Sequence, residues 1–320
     1  MIIIKEKGFN KMEKYYKNGD YKVIISLDGT KRRWWDVENP KVEFAESIDC
    51  MITYKCDNNC PFCYANCTKD GKHADLNSEY VDKFIKSLHP WTELAINGND
   101  FDTPYLYEFL KKLRDEGVFV NVTFEHNQFH RNTHKIYDYK MEGLIHGIGI
   151  SMSNCDSKDF NDPLNIVGDC CPELVPSIVF HVIAGVVSVD NLIRLSNKGY
   201  NLLILGYKNH GRGVKFAASD KDDHNKINYN IKNLSVNLNY FLKEERFKTV
   251  SFDNLALEQL HVKDNLDEWT WDEVYMGEDG EFTYFVDLVN MKFAKNSISD
   301  KLFDIDDKDS KQMFDIIQSN

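Results

Sequence analysis

No stretch of the 320 residues stays apolar long enough to cross a bilayer. The longest such run, residues 174–189, is interrupted by Pro176 and His181, and a spanning helix needs about 20 apolar residues. The opening residues Met1-Ile2-Ile3-Ile4-Lys5-Glu6-Lys7 turn charged before a signal peptide's apolar core could form. Positive charge is also scarce: 39 Lys and Arg stand against 51 Asp and Glu, for a net charge of −12. General nucleic-acid binding rewards neutralisation of phosphates by Lys and Arg, so that class of function is not expected. No internal repeat or low-complexity segment is visible, and no cysteine follows Cys171. These absences predict a cytoplasmic chain without membrane contact, whose cysteines stay reduced.

Apolar residues make up 42% of the chain and aromatics 13%, enough for one large α/β domain with additions or for two small domains. Of the eight cysteines, Cys50, Cys56, Cys60, Cys63 and Cys67 crowd into one short stretch, which in a reducing compartment suggests metal binding rather than disulfides. Cys56, Cys60 and Cys63 are spaced C-x3-C-x2-C. Three thiolates on one short loop can hold three corners of an iron–sulfur cube and leave the fourth iron open. An open metal position is what a reacting small molecule needs. The alternative is a non-catalytic zinc or iron–sulfur binding module, closed by Cys67 as fourth ligand.

The chain around these cysteines alternates between two periods. Strand patterns are expected at residues 48–54, 93–97, 118–124, 144–152, 177–183 and 201–206, with helices between them at 78–88, 104–117, 132–142 and 189–197. Six strands joined by crossovers predict a parallel sheet, which right-handed crossovers curl toward an open or closed barrel. Chemistry in such folds sits at the C-terminal strand ends, where the cysteine loop falls. Residues 21–27 and 30–37 read as a hairpin turned at Asp28-Gly29, with Trp34 and Trp35 expected to pack in the core. In the tail a helix is expected at 233–245, a strand at 249–253, and a hairpin over 274–291 turned at residues 278–281. The Asp- and Lys-rich end reads as a solvated helix or frayed terminus. His126, His130 and His134 recur every four residues and would share one face of a continuous helix, but the polar stretch 125–131 reads as a loop.

The C-x3-C-x2-C loop, followed by Tyr64, resembles the cluster loop of the radical S-adenosylmethionine (radical SAM) superfamily. The resemblance spans about residues 46–207. The turn Asn97-Gly98-Asn99 falls where that superfamily carries a Gly-Gly-Glu-type turn, with the acidic residue displaced to Asp100. Ser151, Ile183-Ala184-Gly185-Val186 and Leu205-Gly206-Tyr207 end later strands on the same face. Asp70-Gly71-Lys72-His73, residues 143–151 and Leu205-Gly206-Tyr207-Lys208 are also similar to a poorly characterised microbial and phage radical SAM group.

The resemblance implies an α/β fold, a partial (β/α)6 barrel of the radical SAM type. Residues 1–45 would form an N-terminal extension with a β-hairpin, 46–210 the barrel, and 211–320 a C-terminal α+β extension completing or capping it. Cys56, Cys60 and Cys63 would ligate a [4Fe–4S] cluster whose open iron chelates S-adenosylmethionine. Phe62 and Tyr64 would shape the adenine side, Asn97, Gly98 and Asn99 would hold the methionyl end, Ser151 would reach the ribose, and Ile183 and Leu205 would line the adenine. The implied activity is reductive cleavage of S-adenosylmethionine to a 5′-deoxyadenosyl radical, fed by a flavodoxin- or ferredoxin-like donor. That radical takes hydrogen from an unidentified substrate, a small metabolite or nucleotide or a peptide. The lack of a C-terminal cysteine-rich domain and the short N-terminal extension count against a peptide. Cys155, on the loop leaving the fourth strand, is the candidate catalytic hydrogen-atom donor. Cys170 and Cys171 read as buried thiols.

Overall fold

The computed structural model describes residues 2–4, 12–26, 31–152, 171–219, 221–243 and 246–320. After the short β1 (Ile2–Ile4), strands β2 (Met12–Asn18), β3 (Tyr21–Ser26) and β4 (Lys31–Trp34) form an antiparallel three-stranded sheet. The expected hairpin is the β3–β4 pair, with Ile25 opposite Lys31, and β2 adds a third strand that the pattern did not show. The β2–β3 turn needs Gly19: its φ is +59°, and a Cβ there would lie 2.1 Å from the Lys41 carbonyl oxygen.

The two tryptophans do not reach the core. Trp34 is 40% and Trp35 51% exposed, and they pack on Tyr15 and Tyr21 respectively. The pleat explains this correction. Buried Lys31 and the Arg33 side chain point inward, so Trp34 faces out. Lys31 pairs with Glu93 at 2.9 Å and Arg33 with Glu46 at 2.7 Å. Asn18 Nδ2 donates to the Phe44 carbonyl at 2.9 Å. Since Glu46 directly precedes and Glu93 begins two neighbouring parallel strands of the main sheet, the small sheet covers the N-terminal ends of those strands. The small sheet leaves the opposite strand ends uncovered.

The Arg33–Glu46 pair is nearly dry, with side-chain exposures of 8% and 1%. Burial alone would raise Glu46, but Arg33, Lys31 and Asn18 outweigh it and hold the carboxyl below its usual range. A depressed folded pKa contributes stability that is complete above the unfolded value and is lost as pH falls through the folded one. Glu46→Gln leaves Arg33 buried without its charge partner, at an expected cost of about 3 kcal/mol at pH 7. Urea melts should show that gap at pH 7 and show it closing once the pH is taken below about 4. A gap independent of pH would contradict the assignment.

Among the described residues the main sheet has eleven strands. In chain order its core is β5 (Ser47–Met51), α1 (Glu79–Ser87), β6 (Glu93–Asn97), α2 (Leu106–Asp115), β7 (Phe119–Glu125), α3 (His126–Met141), β8 (Gly147–Ser151), β9 (Ile178–Ile183), α4 (Val189–Leu195) and β10 (Asn201–Leu205). Strands β5 to β10 pair in sequence order, every pair parallel. Helices α5 (Arg212–Ser219), α6 (Lys221–Val236) and α7 (Leu238–Lys243) follow, the last two replacing the single helix expected at 233–245. Then β11 (Thr249–Phe252) joins β10 in parallel, and β1 pairs antiparallel outside it. After α8 (Asn254–Gln259) and α9 (Glu268–Val274), β12 (Thr283–Asp287) lies parallel to β5 on the other side. Antiparallel β13 (Lys292–Ala294) and β14 (Phe303–Asp304) finish that edge.

Three further expectations shift. Helix α3 starts at His126 rather than near residue 132, because Glu125 caps it: its Oε2 accepts the Asn127 N–H at 2.8 Å. The hairpin expected over 274–291 lies one step later, between β12 and β13. Its turn is set by Asp287 Oδ1, which accepts the N–H groups of Val289 and Asn290, each at 3.0 Å. The C-terminal end is neither frayed nor solvated all round. Helix α10 (Ser310–Gln318) opens on a capping box of Asp309 and Gln312 and buries Met313, Phe314 and Ile317. No helix among the described residues is long and apolar enough to cross a membrane.

Lys208, three residues beyond β10, donates to Ser297, three residues beyond β13, at 3.0 Å. Seven strand spacings of a flat sheet would separate those two strands by roughly 34 Å, so the sheet is curled. Its outer face is packed under helices, with Ile48, Leu94, Val120, Ile150, Val182 and Ile204 all at 2% exposure or less. Of the alternating inner positions, Asp49, Ala95, Asn121, Thr123 and His181 keep some surface open, whereas Met51 and Gly149 are buried.

Candidate functional site

The cysteine loop leaves the C-terminal end of β5 and is closed at its base. The Tyr54 N–H donates to Lys72 O and that of Cys56 to Thr68 O, each at 2.8 Å, and the Thr68 N–H returns to Tyr54 O at 3.0 Å. Gly71 is obligatory in this zipper, since a Cβ would meet Tyr54 O at 2.0 Å. Between the two sides the chain turns twice. Cys63 N–H reaches Cys60 O at 3.2 Å, and Asn66 N–H reaches Cys63 O at 3.4 Å. Asn59 and Asn66 take the left-handed φ of 45° and 55° that asparagine tolerates.

Cys56, Cys60 and Cys63 are partly exposed, whereas Cys67 and Cys50 are buried. The thiols of Cys63 and Cys67 share a hydrogen bond. That bond lowers Cys63 to about 6 against the opposing effect of burial, with Arg212 helping, and it pushes Cys67 up. Burial raises Cys56. Asn99 Nδ2 also donates to Cys67 Sγ at 3.3 Å.

One residue that sequence reasoning did not single out holds this loop together. Arg212, seven residues beyond β10, donates through Nε to Cys60 O at 2.9 Å and through an Nη to Cys67 O at 2.8 Å. Its backbone N–H reaches Cys63 O at 3.0 Å. Gly211, at φ +56°, lets the chains approach, for a Cβ would lie 2.2 Å from Tyr64 O. Lys208 Nζ stands 4.3 Å over the Tyr64 ring and donates to Ser297 Oγ at 3.0 Å. Phe62 meets Phe216 edge-on at 5.8 Å.

The turn after β6 is locked to the same region. Asn97 Oδ1 accepts the Ile52 N–H at 2.8 Å and its Nδ2 donates to Thr53 O at 2.6 Å. The amide thereby aims the chain into the loop. Gly98 N–H is taken by Thr123 O at 2.7 Å, and a Cβ at Gly98 would crowd Val122 and Phe124 at 2.8 Å. Asp100 pairs with Lys55 at 2.9 Å. Ser151, Ile183 and Leu205 are the last residues of β8, β9 and β10, at the same sheet end as the cysteines and each partly exposed.

No protein-family model and no curated sequence matches the chain. Solved structures do. Streptococcus suis SuiB bound to S-adenosylmethionine superimposes with a TM-score of 0.56 at 12% identity, covering 86% of this chain and 66% of SuiB. SuiB bound to the precursor peptide SuiA gives 0.56 and 12% over 87% and 65%. The chain shares the fold of SuiB. It spans just under two-thirds of the length of those SuiB chains.

Helix α3 also brings side chains to the loop. Arg131 approaches Asp57 at 3.9 Å, and Glu125 pairs with His126 Nδ1 at 2.9 Å. Burial would raise Glu125, but the imidazole and the N–H groups at the start of α3 keep it low. Because α3 is continuous, the His126 and His130 rings meet edge-on at 6.1 Å. Among the described residues no group of three or more His, Cys, Asp or Glu side chains is placed to hold a metal ion. Cys155 and Cys170 lie outside the described residues, and Cys171 is buried.

Proposed function

We propose that the chain is a radical SAM enzyme in which Cys56, Cys60 and Cys63 hold a [4Fe–4S] cluster and S-adenosylmethionine binds its open iron. The observation that carries this reading is the C-x3-C-x2-C loop at the C-terminal end of β5, in a fold shared with an S-adenosylmethionine-bound protein. The donor set suits such a cluster: three partly exposed thiols stand on one loop. A cube spreads its three thiolates further apart than a single zinc ion does. When bound, the cluster and S-adenosylmethionine supply a 5′-deoxyadenosyl radical for hydrogen abstraction.

The protein's part is placement. Arg212 and Asn97 fix the loop, while Phe62 and Tyr64 face the adenine side. Gly98 and Asn99 lie at the methionyl end, and Ser151, Ile183 and Leu205 line the nucleoside. Cys155 serves as hydrogen-atom donor to the substrate radical. The proposal includes a partial (β/α)6 barrel at 46–210 flanked by extensions at 1–45 and 211–320, a cytoplasmic setting and a flavodoxin- or ferredoxin-like electron donor. Metal analysis after anaerobic reconstitution tests it. Brown protein with about four irons per chain is expected; colourless protein holding one zinc would favour the module closed by Cys67.

A further inference from the structure

The cysteine loop carries a side-chain donor that the protein itself leaves unused. Asn58 stands midway between Cys56 and Cys60 and keeps some surface as a residue. Its Nδ2, however, is buried and has no hydrogen-bond acceptor among the described residues. Solvent therefore does not take the place of the missing partner. A buried N–H without an acceptor costs free energy, and native structures hold few of them without a reason.

The backbone on both sides of Asn58 is held in place. The Cys56 N–H is fixed on Thr68 O at 2.8 Å, and Cys60 O is fixed by Arg212 Nε at 2.9 Å. Between them Asn59 sets a left-handed turn at φ 45°. Amide donors to sulfur are already part of this region's construction. The backbone N–H of Asn58 donates to the Cys56 sulfur, and Asn99 Nδ2 donates to Cys67 Sγ at 3.3 Å. The side chain of Asn58 is a further amide beside the same thiols, and its acceptor is not a protein group.

The loop's chemistry names the acceptor. A [4Fe–4S] cluster held by Cys56, Cys60 and Cys63 brings inorganic sulfides and thiolate sulfurs, all of which accept hydrogen bonds. We propose that the side-chain amide of Asn58 donates a hydrogen bond to a sulfur of the cluster and thereby raises its reduction potential. The sign follows from charge. Reduction adds an electron to a centre whose sulfurs are already anionic, so a donor on one of them stabilises the reduced form more than the oxidised form. The proposal rests on the radical SAM reading for the presence of the cluster and on nothing about the substrate.

Two variants test it. Asn58→Leu keeps the volume and drops the donor, while Asn58→Asp keeps the shape and puts an acceptor where the donor was. Each full chain is reconstituted anaerobically without S-adenosylmethionine and titrated with redox mediators, the reduced cluster being read by electron paramagnetic resonance. At the wild-type midpoint, the ratio of reduced to oxidised cluster should fall about tenfold in Asn58→Leu, equivalent to about 59 mV for one electron. Asn58→Asp should fall further. Without iron, Asn58→Leu should melt no lower than the iron-free wild type, since no protein acceptor loses its donor. If Asn58→Leu does not keep its iron, Asn58→Asp decides by the same titration. Unchanged midpoints in the iron-loaded variants overturn the proposal alone, as does an iron-free Asn58→Leu chain that melts clearly earlier. A wild-type chain that takes up no iron overturns it together with the radical SAM reading.

Discussion

Replacing Cys60 with alanine should remove the iron and the cleavage of S-adenosylmethionine together, whereas replacing Cys67 should spare both. Cys60 belongs to the partly exposed trio on the loop. Cys67 is only 2% exposed, its thiol is occupied by Cys63 and the Asn99 amide, and its carbonyl is held by Arg212. Those partners give Cys67 a packing role that needs no metal. Cys67→Ala should therefore cost about 1 kcal/mol of stability and keep its iron. Cys60→Ala should fold normally and fall from about four irons per chain to a small residue. Loss of iron from Cys67→Ala would show a closed four-thiolate site instead. The closeness of Cys67 to Cys63 makes this pair of variants decisive, because distance alone suits either arrangement.

The second large effect belongs to Arg212. Its guanidinium donates to the carbonyls of Cys60 and Cys67, and its N–H to that of Cys63, so three of the loop's turns hang on one side chain and its backbone. Hydrogen bonds from a charged donor contribute about 1.5–3 kcal/mol each. Arg212→Ala removes two of them and leaves two carbonyls unpaired, so the loop should lose its preorganisation. The expected result is a several-fold drop in iron retained after gel filtration, with the fold still intact by circular dichroism. Arg212→Lys can restore the charge but not the forked geometry, and should recover iron only in part. Full iron occupancy in Arg212→Ala would remove the residue from the site.

The parallel sheet was legible in the sequence because its outer face is apolar and β-branched at a period of two, as in Val118, Val120 and Val122 or Leu202 and Ile204. The cysteine spacing marked the end of β5. What escaped was set by contacts distant in the chain. Arg212 reaches Cys60 across 152 positions, and a lone arginine between two glycines carries no spacing signal. The hydrophilic run 125–131 looked like a loop because its helix is started by the Glu125 carboxylate rather than by an apolar stripe. Strand β12 was hidden inside a longer β-like stretch, where Glu278-Asp279-Gly280-Glu281 suggested a turn; Asp287 makes the turn instead.

The central claim is that this loop turns bound S-adenosylmethionine into a radical source. Its most direct test is anaerobic incubation of the reconstituted chain with S-adenosylmethionine and dithionite, followed by chromatography for 5′-deoxyadenosine. The account predicts 5′-deoxyadenosine and methionine in equal amounts, formed by the wild-type chain and by Cys67→Ala but not by Cys60→Ala. A chain that holds its full complement of iron and yet releases no 5′-deoxyadenosine would contradict it.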